Sequence, residues 1–392
     1  MSKNNLAFKT LLVIAFCASV LFGCNSKPMD QNVEVIYIDE AKPENLSKIV
    51  DEIEYVVLEN PNKPFAKADK LFVFEEGIIL ADFWSNHTLL RYDHYGNFLN
   101  SIGHYGEGPG EYLQITDVDF DEINKNMIII SRNHLIKYDL EGNFSSEIQI
   151  RNRPYKFLKL DDDRYLFYFP EVLAPELRAG IDKAILYNYS PDEDSLEPIL
   201  EPIFPEVLNY MGEKNNLFKM GETIMFSLNF CDTIYFISEK KISKKLFLDF
   251  GSSQNDLSKL YGIPILELVN RLNGDGFNNI STHSPHLFGN SRYVASAFRK
   301  KPRIDFFVYD MKEKIPYLSS KIVNDLDRGM GFGIIKSMDE DYLYSYFEPE
   351  EILQHYEKNK QELGKLDNNF TTLAKKISRD DFLILAKYKF KK

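Results

Sequence analysis

The sequence predicts an all-β fold, a six-bladed β-propeller whose blades each hold four strands. Three observations support it: a segment that recurs about every 50 residues, four short β runs in each repeat, and a high aromatic content. Aromatic residues make up 14% of the 392 residues, with 30 Phe and 23 Tyr. Such side chains favour pleated, half-buried surfaces. Four-stranded units that repeat at this period are typical of propeller blades.

The repeat is clearest between residues 89–98 and 135–144, which both carry a Tyr-Asp pair followed by Gly-Asn-Phe. Weaker copies lie at 185–189, 233–237 and 306–310. Their anchor residues are Tyr92, Tyr138, Tyr189, Ile237 and Tyr309, spaced by 46, 51, 48 and 72 residues. The long interval contains residues 255–273, whose apolar spacing predicts a helical insertion. Without that insertion the interval returns to about 50 residues.

The first repeat shows how a blade is built. Its predicted strands are 70–74, 78–82, 88–93 and 98–102. The intervening turns carry Glu76-Gly77, Ser85-Asn86 and Gly96-Asn97, which suit tight connections. One four-stranded sheet cannot bury both of its faces, whereas blades packed around a central axis can.

The sixth blade is predicted to take strands from both ends of the chain. Residues 333–338, 342–347 and 382–388 supply three β runs, and a helical insertion near 349–377 interrupts them. The unassigned run 53–58 is then predicted to add the fourth strand and close the ring, which removes an exposed sheet edge. The alternative is a β-sandwich with a separate helical domain.

The N-terminus predicts export and a lipid anchor. Lys3 and Lys9 precede the apolar run 11–22, which is too short to span a bilayer and is typical of a signal peptide. Leu21-Phe22-Gly23-Cys24 resembles the bacterial lipobox, in which Cys24 would be lipidated and would begin the mature chain. We therefore expect a signal peptide at 1–23, a lipidated Cys24 with a tether at 24–45, and the propeller at 46–392. An uncleaved anchor or an ordinary secretory signal are the alternatives.

The charge and the cysteine content exclude two further features, nucleic-acid binding and a disulfide bond. Without residues 1–23 the net charge is -14, so nucleic acid is an improbable partner. Cys231 would be the one unmodified cysteine, which excludes a disulfide within a mature chain. We interpret Cys231 as a packed thiol because it ends an apolar run.

The first blade resembles an NHL repeat in segments 79–82, 90–93, 96–98 and Gly106-Glu107-Gly108-Pro109-Gly110-Glu111-Tyr112. More broadly, the chain resembles the six-bladed β-propeller lipoproteins of Bacteroidetes. That resemblance implies the fold and a location in the cell envelope. It implies little about chemistry, because a fold does not fix a function.

The sequence contains no Walker loop, Gly-x-Ser-x-Gly elbow, Cys-x-x-Cys or His-Glu-x-x-His motif. His283 and His286 offer two imidazoles, but the intervening Pro285 favours a surface loop over a metal site. No cofactor is identified. Ca²⁺ bound by channel carboxylates and carbonyls would be the exception.

The strongest indication of a ligand comes from one face of the ring. The loops between second and third strands, and those between blades, emerge on a common side that we call the long-loop face. Seven of the twelve arginines are assigned to it. Arginine suits carboxylate, sulfate or phosphate, so we predict an anionic ligand such as an acidic glycan. The alternative is that these arginines pair with nearby acids in solvated loops. The candidate ligand-binding residues are Trp84, His87, Arg132, His134, Arg151, Arg153, Arg299, Arg303 and Arg328.

We expect an envelope lipoprotein, anchored to a membrane by lipid, that binds a glycan, peptide or partner protein without catalysis. One alternative is a metal-dependent propeller enzyme, lactonase-like or lyase-like, with ligands converging at the channel. Another is a structural subunit of an outer-membrane complex. Residues 25–30 lack an acidic pair, which favours the periplasmic side over the cell surface.

Overall fold

The computed structural model describes most of the chain downstream of residue 31. The described residues are 32–38, 42–160, 164–170, 184–200, 215–228, 231–238, 241–254, 281–300 and 303–392, with the single residues 264, 267 and 270. The predicted signal peptide, Cys24 and almost all of the predicted insertion at 255–273 lie outside this part.

The N-terminal part contributes three strands: β1 (Val33–Tyr37), β2 (Glu44–Asn45) and β3 (Val50–Leu58). Blade one comprises β4 (Lys70–Phe74), β5 (Gly77–Asp82), β6 (Thr88–Tyr92) and β7 (Phe98–Ser101). Blade two comprises β8 (Asp117–Asp121), β9 (Asn126–Ser131), β10 (His134–Tyr138) and β11 (Phe144–Gln149). Blade three comprises β12 (Lys156–Lys159), β13 (Tyr165–Tyr168), β14 (Leu186–Ser190) and β15 (Ser195–Leu200).

Blade four comprises β16 (Leu217–Met220), β17 (Thr223–Phe226), β18 (Thr233–Ser238) and β19 (Lys241–Asp249). Blade five comprises β20 (Ser281–Gly289), β21 (Tyr293–Lys300), β22 (Arg303–Asp310) and β23 (Ile315–Leu318). The short β24 (Ile322–Val323) follows, and blade six begins with β25 (Ile335–Met338) and β26 (Tyr342–Phe347) and continues with β27 (Leu383–Phe390). Two 3₁₀ turns lie at Leu46–Lys48 and Gly251–Ser253.

The ring closes as the sequence predicts. Strand β27 pairs antiparallel with β3, from Leu383 opposite Leu58 to Phe390 opposite Val50. The order of blade six is therefore β25-β26-β27-β3, with its outermost strand taken from the N-terminal part of the chain. The six-bladed β-propeller of four-stranded antiparallel blades is confirmed, and the β-sandwich alternative is wrong.

The insertion between β26 and β27 is helical, as predicted. It forms α1 (Pro349–Lys358), α2 (Lys360–Leu363) and α3 (Asn369–Lys376). Glu348 and Glu351 form a capping box at the start of α1, and Pro349 occupies its first turn, where no N–H partner is needed. The buried faces of α1 and α3, including Ile352 and Phe370, pack into the core between blades five and six.

Each junction between neighbouring blades has its own apolar cluster. Blades one and two share the cluster that includes Ile79 and Phe120, and blades two and three share the one that includes Ile130 and Phe157. The remaining four junctions have corresponding clusters. The repeated Tyr92, Tyr138, Tyr189 and Tyr309 lie at the ends of third strands and are buried, which explains the repeat and the aromatic excess.

Polar contacts join the first strands of adjacent blades around the central axis, and we call this set the inner belt. Most of them end on a backbone carbonyl of the next blade, so each blade is fixed to its neighbour close to the channel. In ring order from blade one they are Lys70 Nζ to Val118 O (2.7 Å), Phe157 N to Asp117 Oδ2 (3.0 Å), Lys219 Nζ to Lys159 O (3.4 Å), Asn215 Nδ2 to Leu287 O (2.6 Å), His286 Nε2 to Ile335 O (2.5 Å) and Lys336 Nζ to Ala68 O (2.9 Å).

A strap, the described residues 32–38 and 42–49, contacts blade four with its first part and β24 with its second. Its strand β1 pairs in parallel with β19 and adds a fifth strand to blade four, while β2 pairs with β24. Ile36 and Ile38 of the strap are buried in the cluster between blades four and five. The sequence did not predict β1, which lies in the segment assigned to the tether. No helix among the described residues is both long enough and apolar enough to cross a membrane.

Glu34 fixes the strap electrostatically. Its carboxylate contacts Lys244 at 2.6 Å, accepts a hydrogen bond from Tyr309 and also binds Lys314, so it joins β1 to blades four and five. Burial alone would raise the pKa of Glu34, but these donors lower it to about 2. The folded state therefore prefers the ionised form.

We predict that Glu34→Gln destabilises the protein by about 2 kcal/mol near neutral pH, because two ammonium groups and a phenol lose their anionic partner. The pKa is depressed on folding, so this contribution is present above the unfolded value of 4.5 and is lost as the pH falls toward 2. Urea denaturation at pH 7 and again near pH 3 should show the difference between the two proteins shrinking. Glu52→Gln, an exposed change of equal charge on β3, is the control; an equal loss of stability there would contradict the assignment.

Candidate functional site

The predicted ligand-binding residues fall into two groups on the long-loop face. Trp84, His87, Arg132, Arg151 and Arg153 lie on the loops of blades one and two and on the connection to blade three, and His134 is the first residue of β10. Arg299 lies near the end of β21, Arg303 begins β22, and Arg328 follows blade five. Blades two and five are on opposite sides of a six-membered ring, so the structure does not bring the nine residues together. The side chain of Arg303 lies outside the described part.

Arg153 lies just before the first strand of blade three. Its guanidinium donates to the Thr116 hydroxyl at 2.9 Å, directly before β8. With the Gln114 amide turned so that its oxygen faces Arg153, that oxygen accepts at 2.6 and 3.2 Å. Both partners are neutral. The half-buried Arg153 is therefore held in place without a neutralising charge.

A second arginine lies on the adjoining turn, where the Ile150 N–H donates to the Asn133 carbonyl at 2.8 Å. Arg132 occupies the turn between β9 and β10, is exposed, and has the left-handed backbone conformation, φ 54°. Burial and then the positive charge of Arg132 lower the pKa of Arg153. Among the residues that the structure describes, no carboxylate forms an ion pair with either arginine. Two like charges thus lie on adjoining segments of the face, where an anion could neutralise them.

Aromatic rings adjoin this pair. The His87 imidazole stacks on Tyr105 with centroids 6.0 Å apart and planes 8° apart, and 63% of Tyr105 is exposed. His87 Nδ1 accepts a hydrogen bond from the backbone N–H of Ile115 at 3.3 Å. Residues 114–116 therefore contact His87 on one side and Arg153 on the other. Trp84, on the same loop as His87, is 62% exposed.

We call His87, Tyr105, Gln114, Arg132 and Arg153, together with the neighbouring Trp84, the arginine site. Tyr105, Gln114 and Thr116 were missed as candidates. The sequence places them in the long connection after blade one, but it favoured charged and imidazole side chains there. Only the fold shows that this connection passes between His87 and Arg153.

Three other candidates have acidic partners, as the alternative interpretation expected. His134 contacts Glu147 at 3.5 Å, Arg151 forms an ion pair with Asp194, and Arg328 contacts Glu362 at 3.6 Å. Arg299 is partly buried on β21. The residues that the sequence grouped on composition therefore differ in charge balance. Among the described residues Arg132, Arg153 and Arg299 have no carboxylate partner, and the two of them that interact with each other are Arg132 and Arg153.

The first strands enclose a central cavity of about 350 Å³. Its lining mixes Phe218 and Phe288 with ammonium groups such as Lys219 and with Asp119, and none of the nine candidates reaches it. Burial raises the pKa of Asp119 to about 6. Within the described ranges no three His, Cys, Asp or Glu side chains are grouped so that they could hold a metal ion.

The interpretation of His283 and His286 as part of a surface loop is wrong. Both lie on β20 and are buried. His283 Nδ1 contacts the Ser227 hydroxyl and the Cys231 carbonyl, each at 3.0 Å, and Nε2 contacts Ser296 at 2.8 Å. Burial lowers the pKa of His283 to about 4. The two rings are three residues apart and face opposite sides of an inner strand, His283 toward blade four and His286 toward blade six, so both are buried, a position that Pro285 did not suggest.

Cys231 is buried, as predicted for a packed thiol. Its Sγ is 3.6 Å from the Thr233 carbonyl and 3.9 Å from the Tyr235 hydroxyl. Burial raises the pKa of the thiol to about 12, so the nucleophilic thiolate is disfavoured.

Comparison with known proteins agrees with the architecture. The family model described as "Domain of unknown function (DUF4934)" matches residues 32–389. A solved structure of a Bacteroides fragilis protein described as exported is 17% identical, with a TM-score of 0.69, over 92% of this chain and 100% of that one. A member of the DUF4221 family from Bacteroides vulgatus is 11% identical, with a TM-score of 0.50, over 87% of this chain and 97% of that one. No curated protein matches the sequence. At these identities the similarity shows a common fold.

We predict that Arg132→Gln stabilises the folded protein by about 0.5 kcal/mol, because it removes a like charge beside a half-buried guanidinium. The midpoint of urea denaturation should rise slightly, and the gain should diminish at high salt. Arg151→Gln changes the net charge equally but removes an ion pair with Asp194, so it should give no gain. Stabilisation by both substitutions would indicate an effect of net charge alone.

Proposed function

The chain belongs to the DUF4934 family, and we propose that it is an envelope lipoprotein whose arginine site binds an acidic glycan without catalysis. The fold is compatible with a non-catalytic binding module. The observation that carries the proposal is the pair Arg132 and Arg153, which has no acidic partner in the described part of the chain and adjoins exposed aromatic rings.

The two features of the site suit two parts of such a ligand. Paired guanidinium forks match the planar oxygens of a carboxylate or the oxygens of a sulfate. Exposed Tyr and Trp side chains offer rigid apolar surface with a polar edge, which suits the faces of sugar rings. The site lies on loops held by a rigid scaffold, where binding residues commonly occur.

Location in the envelope is supported by two observations. The N-terminal sequence has the pattern of a signal peptide followed by Cys24. A structure with the same fold is that of a Bacteroides protein described as exported, which supports a position outside the cytoplasm. The periplasmic side is favoured, since residues 25–30 lack an acidic pair.

Binding can be tested with oligogalacturonate and dextran sulfate, with neutral dextran as the uncharged probe. We expect an acidic probe to bind and its affinity to fall as salt rises, because the contact is between charges in solvent. Arg153→Gln should weaken binding about tenfold or more, since a charge-assisted hydrogen bond contributes roughly 1.5–3 kcal/mol. Isothermal titration calorimetry measures each affinity.

Arg299→Gln is the matched control, because it removes the same charge from the long-loop face at blade five. It should leave the affinity unchanged. Equal losses in the two variants would indicate attraction to the whole face, and binding of the neutral dextran would assign the affinity to the aromatic rings. Absence of binding by both acidic probes would contradict an acidic glycan as the ligand.

The anchor is tested separately. Mass spectrometry of the protein purified from membranes of its host should show an N-terminal Cys24 carrying acyl chains, and Cys24→Ser should release the protein into the soluble fraction. A soluble, unacylated native protein that begins at another residue would exclude the anchor. This result would leave the glycan measurement unaffected, because that measurement uses the folded propeller alone.

A further inference from the structure

Strand β1 presents a row of apolar side chains to solvent. Val33, Val35 and Tyr37 alternate along it and are 42%, 38% and 55% exposed. Edge strands usually carry charges that discourage contact with other surfaces. Exposed apolar side chains along an edge strand therefore indicate that another surface packs against this strand.

The orientation of this row is fixed by the residues between its members. Glu34 binds Lys244, Lys314 and Tyr309, and Ile36 is buried between blades four and five. Because strand side chains alternate between two sides, Val33, Val35 and Tyr37 must point outward while these contacts hold. Exposure of the row is thus a consequence of a firmly held strand.

Neighbouring strands extend the apolar surface. Val35 and Tyr37 line a groove of about 290 Å³ together with Ile315 and Pro316 of blade five. Ile315 and, on β24, Val323 are themselves exposed. We call Val33, Val35, Tyr37, Ile315 and Val323 the outer rim; it follows the strap along the circumference of the ring.

The position of the outer rim relative to the proposed anchor identifies its partner. Val33 follows Cys24 by nine residues. Even a fully extended segment of that length spans only about 30 Å, so acylation of Cys24 would confine β1 to the vicinity of the bilayer. The long-loop face does not share this constraint.

We propose that the outer rim rests on the lipid surface to which Cys24 is anchored, so that the propeller lies with the edge of blades four and five against the membrane. This inference rests on the lipid anchor of the proposed function. Tyr37 suits such a surface because its ring is apolar and its hydroxyl can stay hydrated, as for aromatic residues at membrane interfaces. In this orientation the arginine site, on blades one and two, lies away from the lipid.

The single tryptophan of the chain, Trp84, makes a direct test possible. Protein that begins at Cys24 can be coupled through that thiol to a maleimide phospholipid in vesicles of phosphatidylethanolamine and phosphatidylglycerol. Cys231 should not compete, since it is buried and its pKa is raised to about 12. Brominated lipids in the same vesicles then quench those tryptophans that contact the bilayer.

Three proteins are compared: the native Trp84 protein, Trp84→Phe with Tyr37→Trp, and Trp84→Phe with Tyr95→Trp. Tyr95 is 86% exposed on blade one, across the ring from blade four. Tryptophan at position 37 should lose emission on the order of twofold, as expected for a side chain held at the lipid headgroup boundary, whereas the other two should be unchanged. Adding Val33→Ser and Val35→Ser should reduce that quenching.

Several results would overturn the proposal. Equal quenching at all three positions would indicate random tumbling at the surface, and no quenching at position 37 would place the rim in solvent. Dimers of the uncoupled protein in light scattering, without quenching, would identify a second copy as the occupant. Because the coupling is chemical, these results do not depend on whether the host acylates Cys24, so failure here is distinguishable from failure of the anchor.

Discussion

The closure of the ring by β3 is the constraint on which the rest of the structure depends. Eight registered pairs join β3 to β27, so residues near the two ends of the described chain share blade six. Without β3, blade six would end at β27 with an unpaired edge, and the neighbouring apolar cluster would lose Ile53. Closure turns six sheets, each with two apolar faces, into a ring in which every face is covered.

The strap adds further contacts between the N-terminal part of the chain and the blades that precede blade six. Before the chain reaches β3, it pairs with β19 of blade four and with β24 after blade five. Glu34 adds ionic contacts to blades four and five, and Ser47 donates to Asp325 at 3.0 Å through its backbone N–H. The N-terminal part therefore ties together three consecutive blades that would otherwise meet only through their side faces. This arrangement also determines which side chains β1 exposes.

Near the axis, closure is maintained by polar groups. The inner belt places lysine, histidine, asparagine and aspartate side chains where first strands converge, and their hydrogen bonds satisfy carbonyls and N–H groups of the next blade. A buried donor or acceptor left without a partner would cost roughly 1–3 kcal/mol, so these residues are required by the architecture. Ionisable residues around the channel therefore have a structural explanation, and charge at the channel is weak evidence of catalysis.

The sequence predicted the repeated strands, the closure of the ring and the helical insertion of blade six, and it missed β1 and the contacts that assemble the arginine site. The Tyr-Asp and Gly-Asn-Phe pattern located the third and fourth strands, and the predicted strands of blade one agree with the structure to within one residue at each end. The run at 53–58 was assigned to blade six because a closed ring needed a strand there. Strand β1 has no counterpart in other blades, so no repeat signal could reveal it. The contact of Arg153 with Gln114 and Thr116 joins segments 37–39 residues apart, and residue spacing alone does not encode it.

The ionisable residues of the scaffold and those of the arginine site differ in whether they have a partner of opposite charge. Ionisable residues that hold the scaffold together have partners of opposite charge. Glu34 contacts two ammonium groups, and Lys70 contacts both the Asp117 carboxylate and a backbone carbonyl. Arg132 and Arg153 differ, because no carboxylate among the described residues pairs with either of them and the charge of Arg132 lowers the pKa of Arg153. Loops on the long-loop face can tolerate that repulsion because the hydrogen-bonded blades beneath them hold the backbone in position. The absence of an acidic partner for Arg132 and Arg153 among the described residues is the physical basis of the proposed anionic ligand, and the exposed apolar side of β1 is the corresponding basis of the proposed contact with the membrane.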